Sequence, residues 1–399
     1  MEKNMNYDFS TSASRENTNA EKYALREKLF GTNDVMPLWV ADMDIDTPDF
    51  VLSAVKKRLE HPIIGYEEVP SSAFLAQIEW MKREHNIEFA LEDMLYSHSV
   101  VASMNVAIEA FTQKGDKIIV QTPVYPPFFH SVIEHERELL KNPLKLKDDG
   151  TYTFDIEDLK SKIDEKTKLL LLCSPHNPVG RVWRKEELEQ ILEVCLKHDI
   201  VVFSDEIHSD LVYAPNIHIP FASLSKAARD ITVTAIGVGK TFNMAGFAMS
   251  SVAVPNYELR ERFLKIYNRV HFAQGNVLSH AAFEAAYKEG KIWLEELKSH
   301  LFKNFLLLRE LCDKYPHLIK ITPIEGTYLA WLDCRGMGFR DKELRDFFVY
   351  KAGLGISAGI GFGREGSGFM RLNFAVSSAK MLQVVKKLEK ALQDYGSKD

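Results

Sequence analysis

The chain has 399 residues, 46% hydrophobic and 27% charged, with a formal net charge of −6 and a pI near 6.1, proportions of a globular protein long enough to build two cored domains. Acid in excess of base excludes a nonspecific nucleic-acid binder, which needs Lys and Arg to dominate one face, and leaves room for a local basic pocket. The opening MEKNMNYDFS lacks the apolar stretch of a signal peptide and no apolar run reaches the roughly 18 residues of a membrane span. The cysteines Cys173, Cys195, Cys312 and Cys334 are scattered without CxxC spacing, so neither a disulfide framework nor a metal site is expected. A cytoplasmic protein with no membrane partner is the expectation.

Along the chain, residues 1–48 read as an arm that packs with a second domain or with a partner. Residues 49–290 alternate short β-branched runs with helical patterns. The runs 117–121 (KIIVQ), 168–173 (KLLLLC), 200–204 (IVVFS) and 231–236 (ITVTAI) are apolar and too short for helices, as strands buried on both faces should be. Between the second and third, residues 185–198 carry Leu188, Ile191, Leu192 and Cys195 at helical spacing. Strand, helix, strand in that order implies βαβ units, hence an α/β fold with a mostly parallel sheet between helices. From about residue 290 the pattern changes to a long helix (293–315), a strand (327–333), a glycine-rich loop (353–368), a strand (369–374) and a terminal helix from Ala379. Residues 291–399, with the arm, read as a smaller α+β domain.

Ligands of α/β sheets sit beyond the carboxyl ends of the strands, and several polar residues fall there. Asp205 follows IVVFS; a carboxylate at that place could keep a pyridinium nitrogen protonated, or it is a turn aspartate. Asn177, in SPHNPVG after KLLLLC, is a turn signal whose amide could also donate to a ring hydroxylate. Lys240, in GKTFN after ITVTAI, is a loop lysine or a partly desolvated Schiff-base nucleophile. Tyr125, in TPVYPPF, could stack on a ring or simply fill a proline-rich turn. Arg371, in FMRLN, offers a two-pronged donor suited to a carboxylate, or a structural ion pair.

Together, and in this order, the segments PLWVADMD (37–44), IIGYEEV (63–69), TPVYPPF (122–128), LLCSPHNPVGRVW (171–183), SDEIHSDLV (204–212), GKTFNMAG (239–246), GTYLAWLD (326–333) and FMRLNFA (369–375) resemble the fold-type I pyridoxal 5′-phosphate (PLP) enzymes, the aspartate-aminotransferase-like superfamily. Within it they look most like the C–S β-lyase branch, which includes cystathionine β-lyases of the maltose-regulon-modulator type and cystalysin. The resemblance spans nearly the whole chain. It implies that Lys240 carries the cofactor and shuttles the α-proton, with Asp205 at the pyridinium nitrogen and Asn177 at the ring O3′. Tyr125 would stack on the ring, with His208 near O3′ where aminotransferases usually place a tyrosine. It also implies Ser99, Val100 and Val101 at the phosphate, Arg371 on the substrate carboxylate, and Val40 and Ala41 beside the substrate. Tyr66 would reach the phosphate of a neighbouring subunit, making a homodimer with shared sites.

The chain departs from the family pattern at three positions. Gly237 and Gly239 stand where serines usually help cradle the phosphate, and Ala248 stands where many aminotransferases have an arginine. The Thr241 hydroxyl is the expected substitute donor. The implied reaction is α,β-elimination from cystathionine or a related cysteine S-conjugate, giving a thiol, pyruvate and ammonia. An aminotransferase acting on an amino acid and a 2-oxo acid is the alternative, and a regulatory binding protein with residual PLP chemistry a more distant one.

Overall fold

The structure, a computed structural model, describes residues 7–271 and 275–396. Its centre is a seven-stranded sheet built from β1 (Met94–Ser97), β2 (Lys117–Thr122), β3 (Glu138–Pro143), β4 (Thr167–Cys173), β5 (Val201–Asp205), β6 (Thr232–Ile236) and β7 (Ser250–Ala253), in the order β1-β7-β6-β5-β4-β2-β3. The pairings among β3, β2, β4, β5 and β6 are parallel, and only β7 runs against its neighbours. All four strands anticipated for this sheet are present, with no end moved by more than one residue. β1, β3 and β7 were not anticipated, because their sequences lack an uninterrupted apolar run.

The run KLLLLC shows why the inner strands read as continuous apolar segments. Leu169, Leu171 and Cys173 point into one core with the helices Val100–Phe111 and Tyr257–Arg269. Leu170 and Leu172 point into the opposite core with the helix Lys185–Lys197. Successive side chains of a strand alternate faces, so a sheet covered by helices on both sides needs apolar residues at every position. Each fully buried leucine contributes about 1.5–3 kcal/mol of burial.

A second sheet is formed by β8 (Lys320–Ile321), β9 (Leu329–Asp333), β10 (Ser357–Ala358) and β11 (Phe369–Asn373), in the order β8-β9-β11-β10 and antiparallel throughout. It is flanked by the long helix Lys291–Lys314 and the terminal helix Ser378–Gly396. The segment 353–368, anticipated as loop, carries two short pairings: β10 with β11, and Leu354–Gly355 with Met36–Pro37 of the arm. Among the described residues, no helix is long and apolar enough to cross a membrane.

The arm is fastened by buried charge. Lys22, fully buried, lies 2.8 Å from the Asp42 carboxylate and 3.2 Å from that of Asp44. Asp44 also meets Arg15 at 3.1 Å, accepts a hydrogen bond from the Tyr23 hydroxyl at 3.1 Å, and pairs with Lys380 of the terminal helix. Burial alone would raise the Asp44 carboxyl, but Lys22 and Lys380 outweigh it and hold it at about 2, below its ordinary 3.8. A lowered folded-state pKa stabilises the fold above the ordinary value and loses that contribution as pH falls through about 2. We expect Asp44→Asn to cost about 3–5 kcal/mol near neutral pH, because it leaves the Lys22 ammonium buried against one remaining carboxylate. Denaturant unfolding measures this, and a loss below about 1 kcal/mol would show that the cluster does not fasten the arm.

Candidate active site

The side chains singled out from the sequence gather at one edge of the large sheet because the strands before them are parallel and end there. β4 delivers Cys173 and, through the turn 174–180, Asn177. β5 ends on Asp205. β6 ends on Ile236 and runs through Gly237 into the short helix Val238–Thr241, which carries Lys240. β2 leads to Tyr125, and β1 leads through His98 to Ser99, the cap of the helix Val100–Phe111. Together with Ala41 of the arm, these residues line one cleft.

Lys240 donates to the Ala41 carbonyl at 2.6 Å. Burial pulls its ammonium down to about 8; Arg371 adds to the fall, while Asp42 and Asp205 oppose it. A lysine at that value is neutral in appreciable fraction near neutral pH and competent as nucleophile and base. Asp205 shows the opposite shift. Burial pushes its carboxyl up to about 7, against the Ile207 N–H donated at 3.1 Å and the attraction of Lys240. His208 is driven down to about 3 by burial and by Lys240 and Arg371, so it is a neutral imidazole. Its ring stands edge-on to Tyr328, 5.8 Å between centroids.

Arg371, buried on β11 of the other sheet, does not line the cleft itself but meets it through Asn177. Its Nη1 donates to Asn177 Oδ1 at 3.1 Å and its Nη2 to the Trp39 carbonyl at 2.6 Å, while its buried Nε has no acceptor. Since Asn177 Oδ1 accepts from Arg371, its Nδ2 hydrogens remain the donors for a ligand. Asn373, two residues on, donates to the carbonyls of Val40 and Asp42, each at 2.6 Å. Ala41 lines the cleft, whereas Val40, expected beside the substrate, is not among the lining residues and gives its carbonyl to Asn373.

Two further expected residues lie apart. Thr241 is fully buried outside the cleft lining, its hydroxyl donating to Asp210 at 2.8 Å. Asp210 also accepts from Trp80 and pairs with His85. One residue past Lys240, the short helix has turned its side chain toward the core, so the expected phosphate donor is committed elsewhere. Tyr66 is fully exposed and takes no part in the cleft of its own chain.

Sequence reasoning passed over Tyr328 and Ser250. Tyr328 donates its hydroxyl to the Ala41 carbonyl at 2.8 Å, sharing that acceptor with Lys240. The residue before it, Thr327, has φ +70°, a left-handed value costly for a β-branched side chain. It is held there by its N–H donated to Leu211 at 2.7 Å and by the Tyr213 hydroxyl on its carbonyl at 2.8 Å. This turn is why β9 starts at Leu329 and not at Thr327. Ser250 lines the cleft from the start of β7; the signal for it was a short strand in SSVAV.

The donor set fits pyridoxal phosphate. Asp205 is a buried carboxylate at odds with its surroundings, and a cationic ring nitrogen would offset this. Val100 and Val101 line the cleft at a helix N-terminus, where the first amides lack helical acceptors and attract anions. His208, whose buried Nδ1 has no partner among the described residues, lines the same space.

Residues 33–388 match the family described as aminotransferase class I and II. Cystathionine beta-lyase PatB of Bacillus subtilis is 38% identical over 96% of this chain and all of its own length. Protein MalY of Escherichia coli is 30% identical over 97% of this chain and 99% of its own. The crystal structure of cystalysin from Treponema denticola, which contains a pyridoxal 5′-phosphate cofactor, matches with a TM-score of 0.94 at 36% identity, covering 98% of this chain and 100% of that one. The chain belongs to the class I and II aminotransferase family.

Proposed function

We propose that this protein is a PLP-dependent carbon–sulfur β-lyase, cleaving L-cystathionine or a related cysteine S-conjugate, with one water, to a thiol, pyruvate and ammonia. The observation that carries the chemistry is a lysine lowered to about 8 and a buried carboxylate lining one cleft, with a buried arginine hydrogen-bonded to the cleft residue Asn177. The choice of a lyase is supported by the full-length likeness to PatB and to cystalysin.

When bound, pyridoxal phosphate supplies an electron sink for the pair released at the substrate α-carbon. Asp205 holds a proton on the ring nitrogen; the cationic partner in turn favours its ionised form over the neutral one that burial imposes. Asn177 Nδ2 donates to the ring hydroxylate, and Tyr125 walls one face. Arg371 grips the substrate carboxylate, exchanging its bond to the Trp39 carbonyl for a charged acceptor. Lys240 takes the α-proton, its amine kept close to neutral by burial. The Cβ–S electrons then leave with the sulfur, which takes up one proton and departs as the thiol, and one water converts the remaining three-carbon unit to pyruvate and ammonia.

Aminotransfer is the second reading, favoured by the family as a whole. It differs in where the proton returns after the same first step. Incubation with cystathionine should release pyruvate and thiol, and Lys240→Ala should abolish this by removing the base. Exchange between an amino acid and 2-oxoglutarate without pyruvate release would establish the aminotransferase instead.

Tyr66 is proposed to act in trans across a homodimer. This is supported by its full exposure beside the exposed Ile63 and Ile64, an apolar strip suited to a second copy. The proposed compartment is the cytoplasm, where the four free, buried thiols suit a reducing environment.

Arg371→Lys keeps the charge and loses the fork. We expect kcat/KM for cystathionine to fall about 10- to 100-fold, with a much smaller fall for an analogue lacking the carboxylate. Equal losses would remove Arg371 from the carboxylate. Equimolar mixing of Lys240→Ala with an inactive Tyr66→Ala variant should restore about a quarter of wild-type activity, since half the dimers are hybrids with one intact composite site. No recovery after verified subunit exchange would make each site self-contained.

A further inference from the structure

Pyridoxal phosphate ends in a dianion, which needs several donors. The helix Val100–Phe111 offers its first amides, and Ser99 caps it by accepting from Ala102 N at 3.1 Å. Neither Gly237, Gly239 nor Ala248 adds a polar side chain, and the Thr241 hydroxyl is bound to Asp210.

Ser250 is placed differently from these. β7 is the one strand running against the others, so its first residue, and not its last, stands at the edge where the cleft opens. There Ser250 pairs in register with Ser97, two residues before the helix cap, and lies across from the Gly237 turn that leads to Lys240. It is 3% exposed and lines the cleft. Its hydroxyl proton is engaged by the Ser97 carbonyl at 3.3 Å, long for an O–H···O bond, so a better acceptor displaces that contact at little cost. The packing also explains the glycine. A Cβ on Gly237 would lie 2.8 Å from Ser250 Cβ and 3.0 Å from its Cα, closer than side chains approach. The backbone there is extended (φ 171°) and fits any residue, so the glycine reflects space alone. One of the two positions can carry a side chain, and in this chain it is Ser250.

We propose that Ser250 is a phosphate-binding residue, its hydroxyl donating to the cofactor phosphate beside the N-terminal amides of the helix Val100–Phe111. It does the work of a hydroxyl that Gly237 has no room to carry. A hydrogen bond to a charged acceptor is among the stronger neutral-donor contacts, and with Ala248 lacking a charge, the loss of this one is not masked by a neighbouring guanidinium.

The test rests on the pyridoxal phosphate reading of the cleft and compares two probes on the full-length protein freed of cofactor. Pyridoxal phosphate and pyridoxal, which lacks the phosphate, are titrated into wild type and Ser250→Ala, with binding followed by absorbance. The expected result is a roughly tenfold higher Kd for pyridoxal phosphate in the variant, with the pyridoxal Kd unchanged. Unchanged pyridoxal binding also certifies that the variant is folded. An unaltered Kd for pyridoxal phosphate, or equal weakening of both compounds, overturns the assignment of Ser250. Wild-type protein that binds neither compound would overturn the cofactor reading itself.

Discussion

The site depends on one strip of backbone. Residues 39–43 of the arm run between the two sheets, and their polar atoms are claimed from both sides. Trp39 accepts from Arg371, Val40 and Asp42 accept from Asn373, Ala41 accepts from Lys240 and Tyr328, and Met43 exchanges hydrogen bonds with Asn243. A buried carbonyl must find a donor. Here the donors are the residues expected to handle cofactor and substrate, together with their close neighbours in sequence. The arm therefore sets the distance between the lysine on the large sheet and the arginine on the small one. The Asp44 cluster then pins the end of that strip to the terminal helix.

The second organising feature is desolvated charge. Burial moves Lys240, Asp205 and Arg371 toward their neutral forms, to about 8, 7 and 10. Each shift is a cost that complementary charge would offset: in the proposed roles, a ring cation for Asp205 and a carboxylate for Arg371. Groups held in this state bind charged ligands more strongly than exposed ones, because little water must be removed and the local dielectric is low. His208, kept neutral by the same burial, adds no competing positive charge near the ring.

In the proposed reading, the phosphate end of the cleft carries less charge than the substrate end. It combines helix amides and hydroxyls where a guanidinium is absent at Ala248. Hydrogen-bond donors without formal charge rely on number and orientation, so under that reading the close contact of β7 with the Gly237 turn would be part of the binding geometry.

By itself, the sequence determined the inner strands, the main helices and most of the side chains that the fold gathers at one sheet edge. Continuous apolar runs report burial on both faces of a sheet, and polar residues just past such runs report its ligand-binding edge. Lys240, Asp205, Asn177 and Tyr125 were legible for that reason. The strands Met94–Ser97, Glu138–Pro143 and Ser250–Ala253 were not, being short and mixed in polarity. Only the tertiary structure decided where side chains point once neighbours compete for them. Thr241 and Ser250 both carry a hydroxyl close to Lys240 in sequence. The short helix turns Thr241 into the core toward Asp210, while the reversed direction of β7 brings Ser250 to the cleft. Strand direction and helix phase are set by packing across the whole sheet, and a local stretch of sequence does not encode them.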